Sequence, residues 1–267
     1  MTTMTRPSPP VDPIGVDLTR TLRALKLGGM ADTLPERLVL ARQQHLGHAA
    51  FLELVLSDEV TRREGRSATL RAAKAGLDPT MRLDTFDDQP DLSYDRQLWS
   101  DLTTLRFAEA GTGVLILGPV GVGKTHLATA LGHIAIRRRM TVGFHRADKL
   151  FTRLRAARLD NTLDAEVRRL TSIDLLIVDD FALRALDATQ TNDFYEIVVE
   201  RHRRVPTIWV SNREPAEWLG LTTDALLAQS AIDRLTSGAH TLVVEGPSYR
   251  QRGRVTVDPR NENRHAR

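Results

Sequence analysis

Cysteine is absent from the 267 residues, and aromatic residues make up only 5% of them. Without cysteine the chain cannot form disulfides, use a thiol nucleophile or build a zinc site with a cysteine ligand. Long apolar runs are missing too, since the longest, at 114–117 and 175–178, are far too short to span a bilayer. The first residues contain no apolar segment typical of a signal peptide. We therefore expect a soluble, cytoplasmic protein.

Lysine is also scarce, with only four residues against 33 arginines. A GC-rich genome produces the same bias, but arginine is also the side chain best suited to bidentate contact with phosphate or carboxylate groups. The last 19 residues carry six basic and two acidic side chains, although the net charge of the whole chain is only +3. This distribution permits nucleic-acid binding without requiring it.

The first part of the chain has helical periodicity. Four prolines in residues 1–17 predict a disordered tail. Apolar residues then recur at helical spacing over 18–76, as in Leu18, Leu22 and Leu25. We predict four helices there, with i,i+4 pairs Asp58–Arg62 and Glu59–Arg63 at the end of the third, and the fourth over 66–75 ending at Gly76. An acidic stretch within 77–110 is typical of a linker.

After Gly111, short β-type runs alternate with helical segments. The runs lie at 114–117, 141–145, 175–178, 207–210 and 241–244, and the helices include 124–136 and 189–203. Such alternation predicts an α/β domain in which a five-stranded parallel sheet is flanked by helices. We assign this domain to residues 111–252 and the remaining 253–267 to a basic, flexible tail.

A phosphate-loop pattern, G-x-x-x-x-G-K-[ST], begins directly after the first strand. Its residues are Gly118, Pro119, Val120, Gly121, Val122, Gly123, Lys124 and Thr125, followed by His126. Glycines let the backbone N–H groups turn onto phosphate oxygens, and the start of a helix adds a positive dipole end. Lys124 would contact the β- and γ-phosphates, and Thr125 would bind Mg²⁺. We assign all nine residues to ATP binding.

The second motif is acidic. It lies 55 residues downstream of Lys124, where an apolar strand ends in Asp179 and Asp180. Ligands of parallel sheets bind at the carboxyl ends of the strands. We expect Asp179 to hold Mg²⁺ through water and Asp180 to orient or deprotonate the attacking water.

These two motifs and three further strands resemble the AAA+ ATPases. The strand that ends in Asn212 resembles the sensor-1 strand, whose asparagine polarises the water, although Asn212 could instead cap a helix near Pro215. The segment Ala231-Ile-Asp-Arg234-Leu resembles an arginine-finger segment, and Tyr249-Arg250, after the fifth strand, resembles the sensor-2 position. Only 17 residues follow Arg250, too few for the C-terminal lid that usually carries this arginine. The resemblance therefore leaves open whether Arg250 acts in its own subunit, in a neighbour or structurally.

Over residues 18–252 the sequence is similar to the IstB-like ATP-binding proteins, which assist insertion-sequence transposases, and more distantly to the DnaC helicase loaders. The stretches that carry the resemblance include Leu25-Lys-Leu-Gly-Gly-Met-Ala, Thr85-Phe-Asp, Asn212-Arg-Glu-Pro-Ala-Glu-Trp and Gly246-Pro-Ser-Tyr-Arg. The last two are far more selective than the phosphate loop. The resemblance implies an ATPase that uses ATP and Mg²⁺, is stimulated by DNA, and oligomerises on duplex DNA to remodel it. It further implies that Arg234 completes the site of a neighbouring subunit, that the N-terminal helices engage an IstA-like transposase, and that no membrane is involved.

Two alternatives remain open at this point. A replicative helicase loader would use the same ATPase domain with single-stranded DNA as its effector. A binding module that uses ATP only as an assembly switch is the other, because Asp180 stands where many AAA+ proteins have glutamate.

Three arginine groups are candidates for sequence-independent phosphate contacts with DNA. They are Arg137, Arg138 and Arg139; Arg153, Arg155 and Arg158; and Arg250, Arg252 and Arg254. Basic residues at a helix C-terminus also interact favourably with the helix dipole, which offers a structural reason for the first group.

Overall fold

The computed structural model describes residues 14–249. The chain divides into two compact units, Met1–Thr69 and Leu70–Arg267. Within the described residues, every helix is too short or too polar to cross a membrane.

The first unit contains α1 (Val16–Ala24), α2 (Met30–Gln43) and most of α3 (His48–Ala75). Its small core is formed by Leu22, Met30, Leu34 and Val55. Met30 and Leu34 lie four residues apart, so α2 turns one apolar side inward.

Ion pairs support this unit, and one of them differs from the prediction. The Glu59–Arg63 pair is confirmed at 2.7 Å, and Arg62 also binds Glu59 at 2.8 Å. Hydrogen bonds from these two arginines lower the pKa of Glu59 to about 2. Asp58 pairs instead with Arg37 of α2 at 2.5 Å, so the predicted Asp58–Arg62 pair is wrong. Tertiary contact between two helices has replaced an i,i+4 contact within one.

The predicted third and fourth helices form one 28-residue helix, α3. Gly65 lies near the expected break, but one glycine inside a helix costs only about 1 kcal/mol relative to alanine. The helix ends where predicted, since Gly76 adopts a left-handed conformation with φ of +81°.

The second unit has the predicted α/β architecture. Its strands are β1 (Val114–Leu117), β2 (Val142–Arg146), β3 (Leu175–Phe181), β4 (Thr207–Ser211) and β5 (His240–Val243). Its helices after the end of α3 are α4 (Arg96–Thr103), α5 (Arg106–Glu109), α6 (Lys124–Arg137), α7 (Ala147–Leu159), α8 (Leu163–Thr171), α9 (Ala188–Arg201), α10 (Pro215–Trp218) and α11 (Ala225–Thr236). The strands pair in the order β2-β3-β4-β1-β5, and every pair is parallel. The five-stranded parallel sheet is thereby confirmed.

An aromatic cluster fixes the end of β3. The ring of Phe181 lies 4.7 Å from Phe194, 4.8 Å from Trp209 and 4.7 Å from Trp218, measured between centroids. All four side chains are buried. Because Phe181 directly follows the two aspartates, this packing holds their backbone in place.

The segment 77–110 differs from a free linker. It belongs to the second unit, forms α4 and α5, and buries Leu77, Leu92, Trp99, Leu102 and Leu105. A β-bridge joins Ser93 to Glu245, just after β5. The acidic residues that suggested a linker are mostly exposed, while the apolar residues between them pack inward.

Candidate functional site

The phosphate loop is tightly packed against the segment that follows β5. A Cβ atom on Gly118 would lie 1.9 Å from the carbonyl oxygen of Val244, and one on Gly121 would lie 2.1 Å from Oγ of Ser248. Both glycines also have positive φ, 141° and 88°. The backbone N–H of Tyr249 donates to the carbonyl of Gly121 at 2.9 Å. Glycine is therefore required at both positions for the loop and this segment to approach each other.

Lys124 begins α6 with its side chain folded back over the loop. Its Nζ donates to the carbonyls of Gly118 at 2.7 Å and Pro119 at 2.6 Å, and the residue is only 6% exposed. A buried ammonium group requires acceptors, and phosphate oxygens are acceptors of the same kind. This position suits the predicted contact with the β- and γ-phosphates.

Thr125 and Asp179 come together from α6 and β3. The Thr125 hydroxyl lies 3.2 and 3.1 Å from the two carboxylate oxygens of Asp179. Burial and the neighbouring Asp180 raise the pKa of Asp179, which means that its negative charge lacks full compensation. A hydroxyl beside an undercompensated carboxylate is a donor set that fits Mg²⁺, a cation that prefers oxygen ligands.

A one-residue bulge in β3 places both aspartates at the same cavity. Val178 pairs with Trp209, and Phe181 pairs with Ser211. Between these two pairs β3 therefore contains one more residue than β4. Asp180 takes a left-handed conformation with φ of 55°. In a regular strand, neighbouring side chains point to opposite faces; the bulge redirects one of them, and both aspartates line the cavity described next.

The cavity has a volume of about 720 Å³ and lies at the carboxyl edge of the sheet. Nine predicted site residues line it, namely Val120, Gly121, Gly123, Lys124, Thr125, His126, Asp179, Asp180 and Asn212. Asn212 follows β4 directly. The alternative that it caps α10 is wrong, because Glu214 takes the N-cap position and its N–H donates to Glu217 at 3.0 Å.

Eleven further residues line this cavity, and four of them that the sequence did not assign to a site bear on its chemistry: Thr85, Phe86, Arg146 and Tyr249. Arg146 ends β2, and its Nη2 lies 3.6 Å from Oδ2 of Asp180. The strand-end rule that identified Asp179 also applies to Arg146. Thr85 and Phe86 lie in the segment 77–110. Because the sequence pattern of this segment is typical of a linker, no site residue is predicted in it.

Arg234 does not line this cavity. It lies on α11, where its Nη1 donates to the carbonyl of Ser230 at 2.9 Å and its guanidinium lies over the ring of Tyr195. It lines a separate cavity with Gly113 and Thr207, at the start of β1 and β4 and thus at the opposite edge of the sheet. Arg250, together with Arg252 and Arg254, lies outside the described residues.

The second group of candidate DNA contacts is largely neutralised by acids. Arg153 pairs with Glu166 at 2.7 Å, Arg158 pairs with the buried Asp193 at 2.7 Å, and Arg155 binds Asp187. These residues do not form the free cationic patch that the sequence suggested. Arg137 and Arg138, at the end of α6, are exposed, and within residues 14–249 the structure shows no acidic partner for either.

Comparison with known proteins gives consistent results. Residues 20–257 match the family model described as "IstB-like ATP binding protein". The chain is 38% identical to a Mycobacterium tuberculosis protein named as an ATP-binding protein in an insertion sequence, over 89% of this chain and 95% of that one. It is 31% identical to the ATP-binding protein named for insertion sequence IS21 of Pseudomonas aeruginosa, over 88% of each chain.

Two solved structures share the fold. The DnaC helicase loader matches with a TM-score of 0.53 at 18% identity, over 62% of this chain and 98% of that one. The replication initiator DnaA, bound to AMPPCP and single-stranded DNA, matches with a TM-score of 0.52 at 22% identity, over 64% and 51%. The fold is that of the AAA+ proteins, as predicted.

The raised pKa of Asp179 leads to a stability prediction. An acid whose pKa is higher in the folded state destabilises the fold when ionised, and this cost grows as pH rises through the folded-state pKa. We expect Asp179→Asn to raise the melting temperature of the nucleotide-free protein at pH 7, with a gain that shrinks as pH is lowered.

The matched control is Asp160→Asn, which removes one charge from an exposed residue after α7. It should leave the melting temperature nearly unchanged. A gain for Asp179→Asn that is the same at every pH would show that ionisation of Asp179 does not destabilise the site.

Proposed function

The chain belongs to the family of IstB-like ATP-binding proteins, and we propose that it hydrolyses ATP in order to assist an insertion-sequence transposase on duplex DNA. The observation that carries the proposal is the meeting of Lys124, the Thr125–Asp179 pair, Asp180 and Asn212 at one cavity. These side chains supply phosphate contacts, a cation site and two polar groups for a water molecule. Together they are the parts required for phosphoryl transfer to water.

In the proposed reaction, water attacks the γ-phosphorus of ATP, the bond to the β–γ bridging oxygen breaks, and ADP and phosphate leave. Lys124 and the loop N–H groups neutralise phosphate charge, while Thr125 and Asp179 would hold Mg²⁺. Bound Mg²⁺ would neutralise charge that develops on the β- and γ-oxygens. Asp180 accepts the water proton and Asn212 orients the water.

The measurement that tests this proposal is steady-state ATP hydrolysis by the protein alone, with duplex DNA and with single-stranded DNA. We expect duplex DNA to give the larger stimulation, and Lys124→Ala to abolish turnover because the phosphates lose their buried cation. Stimulation mainly by single-stranded DNA would favour a helicase loader. ATP-dependent assembly without turnover would indicate an assembly switch, and full activity of Lys124→Ala would contradict the phosphate-loop assignment.

The position of Arg234 supports an oligomeric enzyme. Within one subunit Arg234 lies at the edge of the sheet opposite the nucleotide cavity. A neighbouring subunit could present this arginine to the γ-phosphate, where a cation stabilises the transition state. We therefore propose that Arg234 is an arginine finger acting in trans, and that an isolated subunit is a poor ATPase.

Arg234→Ala should retain ATP binding while lowering DNA-stimulated hydrolysis about 10³–10⁵-fold. Mixing it with Asp179→Ala should restore activity up to about a quarter of the wild-type rate, since a quarter of random interfaces pair an intact site with an intact arginine. Each variant alone is the control for the mixture. Absence of any restoration would assign Arg234 a structural role.

DNA binding is proposed to involve Arg137 and Arg138, whose exposed side chains lie together at the end of α6. Phosphate contacts by free arginines are sequence-independent and release counterions. The names of the relatives place them in insertion sequences, and we propose the N-terminal helices as the contact surface for the cognate transposase.

The double variant Arg137→Ala/Arg138→Ala should weaken duplex binding and lower the slope of log K against log salt concentration by about 2. Arg153→Ala/Arg155→Ala is the matched control, because those charges are already paired with acids. Binding can be measured by fluorescence anisotropy between 50 and 200 mM salt, the range over which such contacts lose affinity. An equal loss in both double variants would contradict this interface.

A further inference from the structure

His126 lies in the first turn of α6, next to Thr125, but its ring is bound to another part of the chain. Nε2 lies 2.7 Å from the carbonyl oxygen of Arg82 and 3.5 Å from Oγ1 of Thr85. Phe86 packs edge-on against the same ring, with 5.2 Å between centroids and 69° between planes. Because a carbonyl oxygen can only accept a hydrogen bond, Nε2 carries the hydrogen and donates a hydrogen bond to the carbonyl oxygen of Arg82.

The segment that His126 holds is a compact turn, residues 82–86, which we call the covering turn. It contains a single turn of 3-10 helix, Leu83–Thr85. The N–H of Arg82 donates to Oγ1 of Thr85 at 2.9 Å, and this hydroxyl donates to the carbonyl of Thr80 at 2.6 Å. The turn is therefore braced internally, and a contact at one of its residues positions the whole turn.

The covering turn brings an aromatic ring to the phosphate loop. A Cβ atom on Gly123 would lie 3.1 Å from Cε2 of Phe86, and Phe86 lines the same cavity as Lys124. Phe86 also packs against Tyr94, with 6.5 Å between ring centroids. Aromatic side chains beside a phosphate site offer a stacking surface for a nucleotide base.

We propose that His126 is a positioning residue for the base of the nucleotide, since it fastens the covering turn to α6 and so sets the place of Phe86. This inference rests on the proposed ATP site and assigns to His126 a role other than contact with the phosphates. The base should lose affinity when His126 is removed, and the triphosphate group should not. The two parts of the ligand can therefore be tested separately.

The experiment compares the dissociation constants of two probes, AMPPNP with Mg²⁺ and inorganic tripolyphosphate with Mg²⁺, by isothermal titration calorimetry on the full chain. His126→Ala should weaken AMPPNP binding about tenfold, the lower range for loss of a base–aromatic contact. Tripolyphosphate binding should change less than twofold. His126→Gln, which keeps an N–H donor at similar reach, should restore most of the affinity for AMPPNP.

His133 is the matched control. It lies two turns further along α6, and its Nε2 lies 2.8 Å from the carbonyl of Asp78, so it holds the preceding part of the same segment. His133→Ala should leave both dissociation constants within twofold. A loss of AMPPNP affinity equal to that in His126→Ala would mean that general loosening of the segment, not the position of the covering turn, is responsible.

Phe86→Ala gives a second test that leaves His126 in place. It should reproduce the selective loss, and the double variant with His126→Ala should add little, because the two side chains act through one contact. Unchanged AMPPNP binding in both single variants, or equal loss of both probes, would overturn the proposal. If the wild-type protein binds neither probe, the proposed ATP site itself is wrong.

Discussion

The arrangement of the site depends on one irregularity, the extra residue near the end of β3. Its bulge and the left-handed backbone of Asp180 bring two consecutive carboxylates to one cavity, although a regular strand would direct them to opposite faces. A left-handed conformation is unfavourable for a residue other than glycine, and the aromatic packing around Phe181 holds it in place. Aromatic packing around Phe181 therefore maintains the geometry of the adjoining site.

Several arginines make structural contacts within the fold. Arg153, Arg155 and Arg158 bind acids on neighbouring elements and strengthen the packing of α7. Arg201 is buried, and desolvation lowers its pKa to about 10, while its guanidinium donates to the carbonyls of Leu170, Ile173 and Pro206. Several of the 33 arginines therefore have structural roles. Arg137 and Arg138, at the end of α6, differ from them because they are exposed and have no acidic partner within residues 14–249.

Sequence patterns were most successful where a local rule and the tertiary fold agree. The five strands, the start of α6 and the end of α3 at Gly76 follow from short-range preferences that the packing preserves. Predictions from the sequence failed where a residue distant in the sequence competes with a near one for the same contact. Asp58 pairs with Arg37 of another helix and not with Arg62 of its own. The acidic segment 77–110 packs against the fold through its apolar residues. Residues 1–13 and 250–267 lie outside the described structure, so the predicted tails over these residues and the role of Arg250 remain predictions. The end of the predicted tail 1–17 is wrong, because α1 begins at Val16.

The sequence by itself determined the phosphate loop, the acidic strand end and the parallel sheet, because each requires particular residue types at fixed spacings along the chain. Only the tertiary structure decided which side chains share the cavity. It placed Arg234 at the opposite edge of the sheet, brought Arg146 to Asp180, and set the covering turn against His126. These contacts join residues far apart in sequence, and their geometry depends on packing and a strand bulge that have no local sequence signal.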